Sequence, residues 1–295
     1  MRAIVTGGLG FLGAATARAL AARGHDVLAT DTREGRLPGI ATGVFDVADP
    51  DAVRRTFEGF RPEAVVHLAA LLTPESRADI VAATRVNALG TAIVFAAARD
   101  AGVRRVVYAS SVAALGNADP ASGDATVPAP ASVYGATKAF CEHLAGALAG
   151  EGGPTMVGLR FGWIYGPGRD RGWREIQDVI EAAARGDALI PYPDYPDPID
   201  WTWVDDAAEV AARAVEAPLD GTRVFNVAGD KRRVREAVAH LSNRFPGCRF
   251  EPRPAPAQPA SWAFANDGLQ GWLGHGPKTP METGLDRLLA AVPRR

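Results

Sequence analysis

The chain has 295 residues, 22% of them charged and 47% hydrophobic, with a formal net charge of −2. That length supports one large domain or two modest ones, and the near-balanced charge advertises no polyanion partner such as nucleic acid. No stretch is read as reaching the ~20 apolar residues of a membrane span; Cys141 and Cys248 form neither a metal spacing nor a disulfide framework, and the scattered histidines leave no metal site expected.

The chain opens with an apolar run, Ala3 to Val5, read as a buried strand. Gly7, Gly10 and Gly13 follow at Gly-x-x-Gly-x-x-Gly spacing. An alanine-rich helical stretch then runs to about Arg23, and a second apolar run, Val27 to Thr30, ends on Asp31. Strand, glycine turn, helix, strand and acid in this order predict a dinucleotide site. The glycines allow a tight turn and close approach to a pyrophosphate, and the helix start offers free N–H groups to it. Asp31 is placed to accept from ribose hydroxyls and to repel a 2′-phosphate, which favours NAD over NADP; Arg33, two residues on, softens that preference. A strand starting at residue 3 leaves no room for a signal peptide, so a cytoplasmic location is expected.

Strands and helices go on alternating. A strand ends at Asp46, a helix covers about Asp51 to Glu58, and "EAVVHLAA" reads as a buried strand in which His67 is structural. The stretch from Ser76 to Gly102 reads as one long amphipathic helix, followed by the strand "VRRVVYASS". A helix from about Ala131 and the strand "TMVGLRFGWIYGPG" come next. Such alternation predicts an α/β fold with a Rossmann-like, doubly wound parallel sheet. Gly7, Asp31, Asp46, Ala69, Ser110, Ser111, Phe161 and Gly162 all fall at strand ends and would gather along one edge.

Within "SVYGATKAFCEHL", Tyr134 and Lys138 stand four residues apart, on one helix face. A tyrosine titrates near pH ~10. A neighbouring ammonium favours the phenolate and brings the phenol towards working pH. Cys141, on the same helix, is read as a small buried residue.

With these strings in place, the chain resembles the extended short-chain dehydrogenase/reductases, the NAD-dependent epimerase/dehydratase family. "TGGLGFLG", "HLAA", "VNALGT", "VVYASSVAALG", "YGATK" and "LRFGWIYGPG" occur in the family's order, followed by "DWTWVDDAAEVAARAV", "FNVAGD" and "LGHGPKTPMETGLDRLL". The resemblance implies Tyr134 as general acid/base, Lys138 holding the nicotinamide ribose, and Ser111 orienting the substrate oxygen. It implies NAD as cofactor, held by Gly7, Gly10, Phe11, Leu12 and Gly13 at the turn and by Asp31, Asp46 and Val47 at the adenosine end. Leu68, Ala69, Ala70, Asn87, Ser110 and Phe161 complete that set, with Tyr134 and Lys138. Ser110 is the fallback for Ser111 if the register is off by one. Family members often dimerise through helices near 77–99 and 133–150; both are alanine-rich here, so a homodimer is expected.

The departures narrow the chemistry. Nucleotide-sugar members often carry a diphosphate-gripping arginine where this chain has Ile199, and dehydratases an Asp–Glu pair where it has Val112 and Ala113. Oxidation, reduction or epimerisation through a keto intermediate remains. In the variable region, Arg169 or Arg174 is a candidate for a substrate carboxylate or phosphate, against the plainer reading of a solvated helix start. Trp163, Trp173, Trp201 and Trp203 form either an aromatic wall, with Trp201 a substrate contact, or core. The proline-rich stretch 249–262 reads as an irregular surface crossing.

The expected organisation is an NAD-binding domain, residues 1–165 plus about 200–228, and a smaller C-terminal substrate-binding lid, 166–199 plus 229–295. The first reading of function is an NAD-dependent oxidoreductase acting on a secondary alcohol or carbonyl of a sugar, sugar acid or related polyol. A sugar or nucleotide-sugar epimerase is the alternative, and a non-catalytic dinucleotide sensor is the third.

Overall fold

The first strand, β1 (Arg2–Thr6), buries every residue after Arg2, as a strand covered on both faces requires. In the computed structural model, which describes residues 1–119, 121, 123–255 and 264–292, it is followed by α1 (Phe11–Ala22), β2 (Asp26–Asp31), β3 (Ala41–Val44), α2 (Pro50–Phe60) and β4 (Ala64–His67). Next come the short helices α3 (Thr73–Ala78) and α4 (Ile80–Ala83), a π-helical segment Thr84–Leu89, and α5 (Gly90–Asp100). β5 (Arg105–Ser111) leads through a 3₁₀ turn, Val112–Leu115, to α6 (Val133–Gly150), β6 (Thr155–Phe161), β7 (Ile164–Tyr165) and α7 (Glu175–Arg185). The rest is β8 (Leu189–Asp194), β9 (Ile199–Trp203), α8 (Val204–Glu216), β10 (Thr222–Val227), β11 (Asp230–Arg232), α9 (Val234–Arg244), β12 (Arg249–Pro254), α10 (Asp267–Leu273) and α11 (Met281–Ala291).

The main sheet has seven strands in the order β10-β6-β5-β4-β1-β2-β3, and every pairing in it is parallel. Val5 faces Ala29 on one side and Val66 on the other, and Val66 faces Val107. The strand order reverses beside β1, which opens a crevice at the carboxyl ends of β1 and β4. Val5, Ala17, Leu20, Ala29 and Val66 form core on one face; Ile4, Val65, Phe95 and Val106 form it on the other. A three-stranded sheet, β11-β9-β7, and a two-stranded one, β12-β8, stand beyond the main sheet.

Three expectations change. The helix expected over 76–102 is broken: Asp79 takes an extended conformation (φ −139°, ψ 98°) and its carboxylate accepts from the Ala82 amide at 2.8 Å. Aspartate competes with the helix for its own amides and therefore starts a new turn here. The helical stretch Ile80–Asp100 is, by length and composition, apolar enough to cross a bilayer, contrary to the expectation of no such stretch; its inner face carries Val94, Phe95 and Ala98, all fully buried core. Finally, Arg249–Pro254 of the expected surface crossing is a strand, pairing in parallel with β8, while 256–262 of that stretch lies outside the described residues.

Candidate active site

The glycine turn is shaped by close approach. Gly7 has φ +66°, and a Cβ there would stand 2.8 Å from the Ala69 amide nitrogen. At Gly13 an added Cβ would collide with the Gly7 carbonyl oxygen, so helix α1 rests directly on the turn. Gly10 is the N-cap of α1 and offers no side-chain cap; the first-turn amides of Phe11, Leu12 and Gly13 are left for an anion. Thr6 and His67 hold Ala69 in place. The Thr6 hydroxyl accepts from the Leu68 and Ala69 amides at 3.3 Å each and stands 2.7 Å from His67 Nδ1. Thr91 Oγ1 donates to the Asn87 carbonyl and stands 3.0 Å from His67 Nε2. The bonding pattern therefore assigns His67 as the Nε2–H tautomer, accepting at Nδ1. Burial and the nearby Lys138 push its pKa down to about 3, so it is neutral.

These groups open onto a cleft of about 1410 Å³ lined at the turn by Gly7, Gly10, Phe11, Leu12 and Gly13. Asp31, Asp46 and Val47 line it on the β2–β3 side of that turn, and Leu68, Ala69, Ala70, Ser111, Tyr134, Lys138 and Phe161 on the β4–β5–β6 side. The turn, the open helix start and these apolar walls fit a dinucleotide. Asp31 Oδ2 accepts from the Leu9 amide at 3.3 Å, and Oδ1 meets Arg33 Nε at 3.3 Å. Asp46 caps the Ala48 amide at 2.9 Å and pairs with Arg85 at 2.9 Å.

Tyr134 and Lys138 project from the first turns of α6, which Ser132 caps through the Gly135 amide at 3.0 Å. Gly135 itself lies against the Ala113 carbonyl, where a Cβ would collide, so the helix packs tightly on the turn after Ser111. Lys138 is 4% exposed; its Nζ donates to the Ala109 carbonyl at 2.9 Å and lies 5.6 Å from the Tyr134 ring centroid. Ser111 Oγ accepts from the Ala113 amide at 3.2 Å and donates to the Phe161 carbonyl at only 3.4 Å. A bond that long is readily given up for a better acceptor.

Several sequence expectations need correcting. Asn87 is fully buried and is not among the residues lining the cleft. Its amide grips the Leu71 backbone, accepting at 2.8 Å and donating at 2.9 Å, and it donates to Thr137 Oγ1 at 3.2 Å; these bonds hold the cleft wall. Trp201 is fully buried behind Trp163 and Tyr165, with Nε1 donating to the Arg232 carbonyl at 2.9 Å. It is core, as is Trp203, whereas Trp163 and Trp173 line the cleft. Ser110 lines the cleft but its hydroxyl donates to Glu142 at 2.5 Å. Arg174 also lines it, yet its guanidinium pairs with Asp178 at 2.8 Å and Glu181 at 2.9 Å. Arg169 is mostly buried; it donates to the carbonyls of Ile164 and Trp173 and stacks within 5.9 Å of both the Phe11 and Trp163 rings. It is no solvated helix start.

A buried pair escaped the sequence reading. Arg160 grips Glu142 through Nε at 2.8 Å and Nη2 at 2.7 Å, and donates to the carbonyls of Asp124 at 3.1 Å and Thr126 at 3.0 Å. Through Glu142 the same unit reaches Ser110, so the end of β5 and the 124–126 loop are fastened together. The signals were present: Glu142 continues the face of Tyr134 and Lys138 at four-residue spacing, and Arg160 interrupts an otherwise apolar strand.

Comparison with known proteins bears on the family and the fold. Residues 3–228 match the profile of the "NAD dependent epimerase/dehydratase family". The chain is 33% identical over 232 residues to an L-arabinose 1-dehydrogenase (NAD(P)(+)) of Haloferax volcanii, covering 74% of this chain and 84% of that one. It is 31% identical to a UDP-glucose 4-epimerase of Mycolicibacterium smegmatis over 77% of each chain. The crystal structure of a Thermus thermophilus UDP-glucose 4-epimerase with NAD superposes with a TM-score of 0.86 at 28% identity, covering 99% of both chains. The chain belongs to the NAD dependent epimerase/dehydratase family and is an NAD-dependent enzyme of its oxidoreductase and epimerase branch. These relatives leave the non-catalytic sensor without support.

Proposed function

We propose that the protein oxidises, or in reverse reduces, a secondary alcohol position of a sugar, sugar acid or related polyol, with Tyr134, Lys138 and Ser111 as its working residues. The observation that carries this reading is that all three side chains line the cleft that also holds the glycine turn. Bound NAD supplies the two-electron acceptor. Ser111 turns its hydroxyl from the distant Phe161 carbonyl to the substrate oxygen and fixes it. Tyr134 takes the proton from that oxygen as the carbonyl forms, and returns it in the reverse direction. Lys138 gives one N–H to Ala109 and keeps the others for the nicotinamide ribose.

We place the cofactor along Gly7 to Gly13, Asp31, Asp46 and Leu68 to Ala70, within the domain 1–165 plus about 200–228. The substrate then meets the lid, 166–199 plus 229–295. Oxidoreduction is preferred to nucleotide-sugar epimerisation because Ile199, at the position where nucleotide-sugar members often carry a diphosphate-gripping arginine, is fully buried core. We also assign a cytoplasmic homodimer. Ile80 and Val81 on α4, Leu89 at the end of the π-helical segment, and Phe140 on the adjacent α6 expose 58%, 78%, 52% and 43% of their surfaces, a patch suited to a second copy.

The test is a panel of free sugars, sugar acids and nucleotide sugars, with and without added NAD. NADH accumulation with a free sugar or sugar acid supports oxidoreduction. An isomeric product without NADH overturns it in favour of epimerisation.

A further inference from the structure

The substrate end of the cleft holds a cation that lacks a counter-ion. Among the described residues no carboxylate pairs with Arg169. Its two terminal nitrogens donate to the Ile164 and Trp173 carbonyls, and its buried Nε has no hydrogen-bond partner. The guanidinium lies against two aromatic faces, those of Phe11 and Trp163. Burial lowers its pKa to about 10, Arg174 adds to the fall, and the Tyr134 phenol opposes it. The group is still charged at neutral pH. Arg174, which also lines the cleft, differs in being neutralised by Asp178 and Glu181.

A buried, unpaired charge is costly, and a fold keeps one where a ligand supplies the opposite charge. The planar guanidinium suits a carboxylate. Its neighbourhood fixes where that carboxylate must sit: Trp163, Trp173 and Tyr195 line the same part of the cleft, and Tyr134 is close enough to bear on the charge. The loop is built around this cation. Gly172 has φ +79°, and a Cβ there would stand 3.2 Å from Arg169 Nη2.

We propose that Arg169 is the anion-binding residue of the substrate cleft and selects carboxylate-bearing substrates, sugar acids over neutral sugars. This rests on the oxidoreductase reading above and names its substrate class. The other anion within reach of such a cation is the pyrophosphate of the dinucleotide, and the experiment separates the two.

Calorimetric titration of the NAD-saturated protein compares D-glucuronate and D-galacturonate with D-glucose and D-galactose, alongside turnover of each. The expected result is at least tenfold tighter binding of the acids. Arg169→Gln should lose that preference, Arg169→Lys should recover part of it, and Arg174→Gln should retain it. Equal binding of acids and neutral sugars by the wild-type protein overturns the proposal and needs no variant that might misfold. A preference that survives in folded Arg169→Gln, with NAD binding weakened tenfold or more, also overturns it and gives the guanidinium to the pyrophosphate. Acid-selective binding without any redox turnover supports the anion site while sinking the oxidoreductase reading.

Discussion

The ammonium of Lys138 stands 5.6 Å from the centroid of the Tyr134 ring, one helical turn along α6, and is fixed there by the Ala109 carbonyl. Because its anchor is backbone at the end of β5, the position of this cation is set by the sheet. Replacing the phenol should therefore remove chemistry without disturbing the frame.

Tyr134→Phe is expected to lower kcat roughly 10²- to 10⁴-fold, the range for loss of a positioned acid/base, with NAD affinity little changed. Steady-state rates and a fluorescence titration with NAD check this together. Near-normal turnover would end the assigned role of the phenol.

Asp31 should govern cofactor choice. Its carboxylate, held by the Leu9 amide and Arg33, meets any 2′-phosphate with like charge. Removing it in Asp31→Ala frees Arg33, and the ratio of kcat/KM for NADP over NAD should rise about 100-fold, since a like-charge clash costs several kcal/mol. An unchanged ratio would show that the ribose is read elsewhere.

Asp200 should give stability a pH dependence. It is fully buried behind Gly162, its Oδ2 lacks a partner, and burial raises its pKa from 3.8 to about 7. The folded state then holds a proton that the unfolded chain has released, so stability falls as pH rises from about 4 to about 7 and levels above that. At ~1.4 kcal/mol per pH unit the ionised form costs roughly 4 kcal/mol at pH 8. His67, held neutral, contributes the opposite slope: its part is lost as pH falls from 6.5 towards 3. Asp200→Asn should gain Tm over wild type progressively between pH 4 and 7, then hold a constant advantage. Parallel Tm curves would contradict the assignment.

Trp201→Leu should cost stability, about 2–4 kcal/mol for a large buried side chain cut back, and leave KM within a factor of about two because the ring faces core. Chemical denaturation and kinetics on one preparation separate these effects. A large KM change with stability intact would return Trp201 to the cleft.

The parallel sheet was legible because buried strands and glycine turns are local signals: Ala3 to Val5, Gly7 and Asp31 stand where the motif put them. Tyr134 and Lys138 were legible for the same reason, sharing one helix face. Asn87 and Trp201 misled because their types suit a binding site, while their burial is set by packing partners distant in the chain, Leu71 for one and Arg232 for the other. The break at Asp79 was a local signal, an N-cap residue inside an apolar pattern, overridden by the length of that pattern. Arg169 could not be separated from Arg174 by sequence, since the difference between them lies in Asp178 and Glu181 reaching only one of the two.

The pairing of Glu142 with Arg160 has a consequence for how this chain can change. With both side chains at 5% exposure or less, losing one strands the other, at roughly 3–5 kcal/mol, while exchanging both for apolar residues of matching bulk can be nearly neutral. The two positions therefore form a single heritable unit. Sequence drift and laboratory evolution alike should move them together or leave them alone, and libraries that randomise one of them will mostly sample collapsed clones.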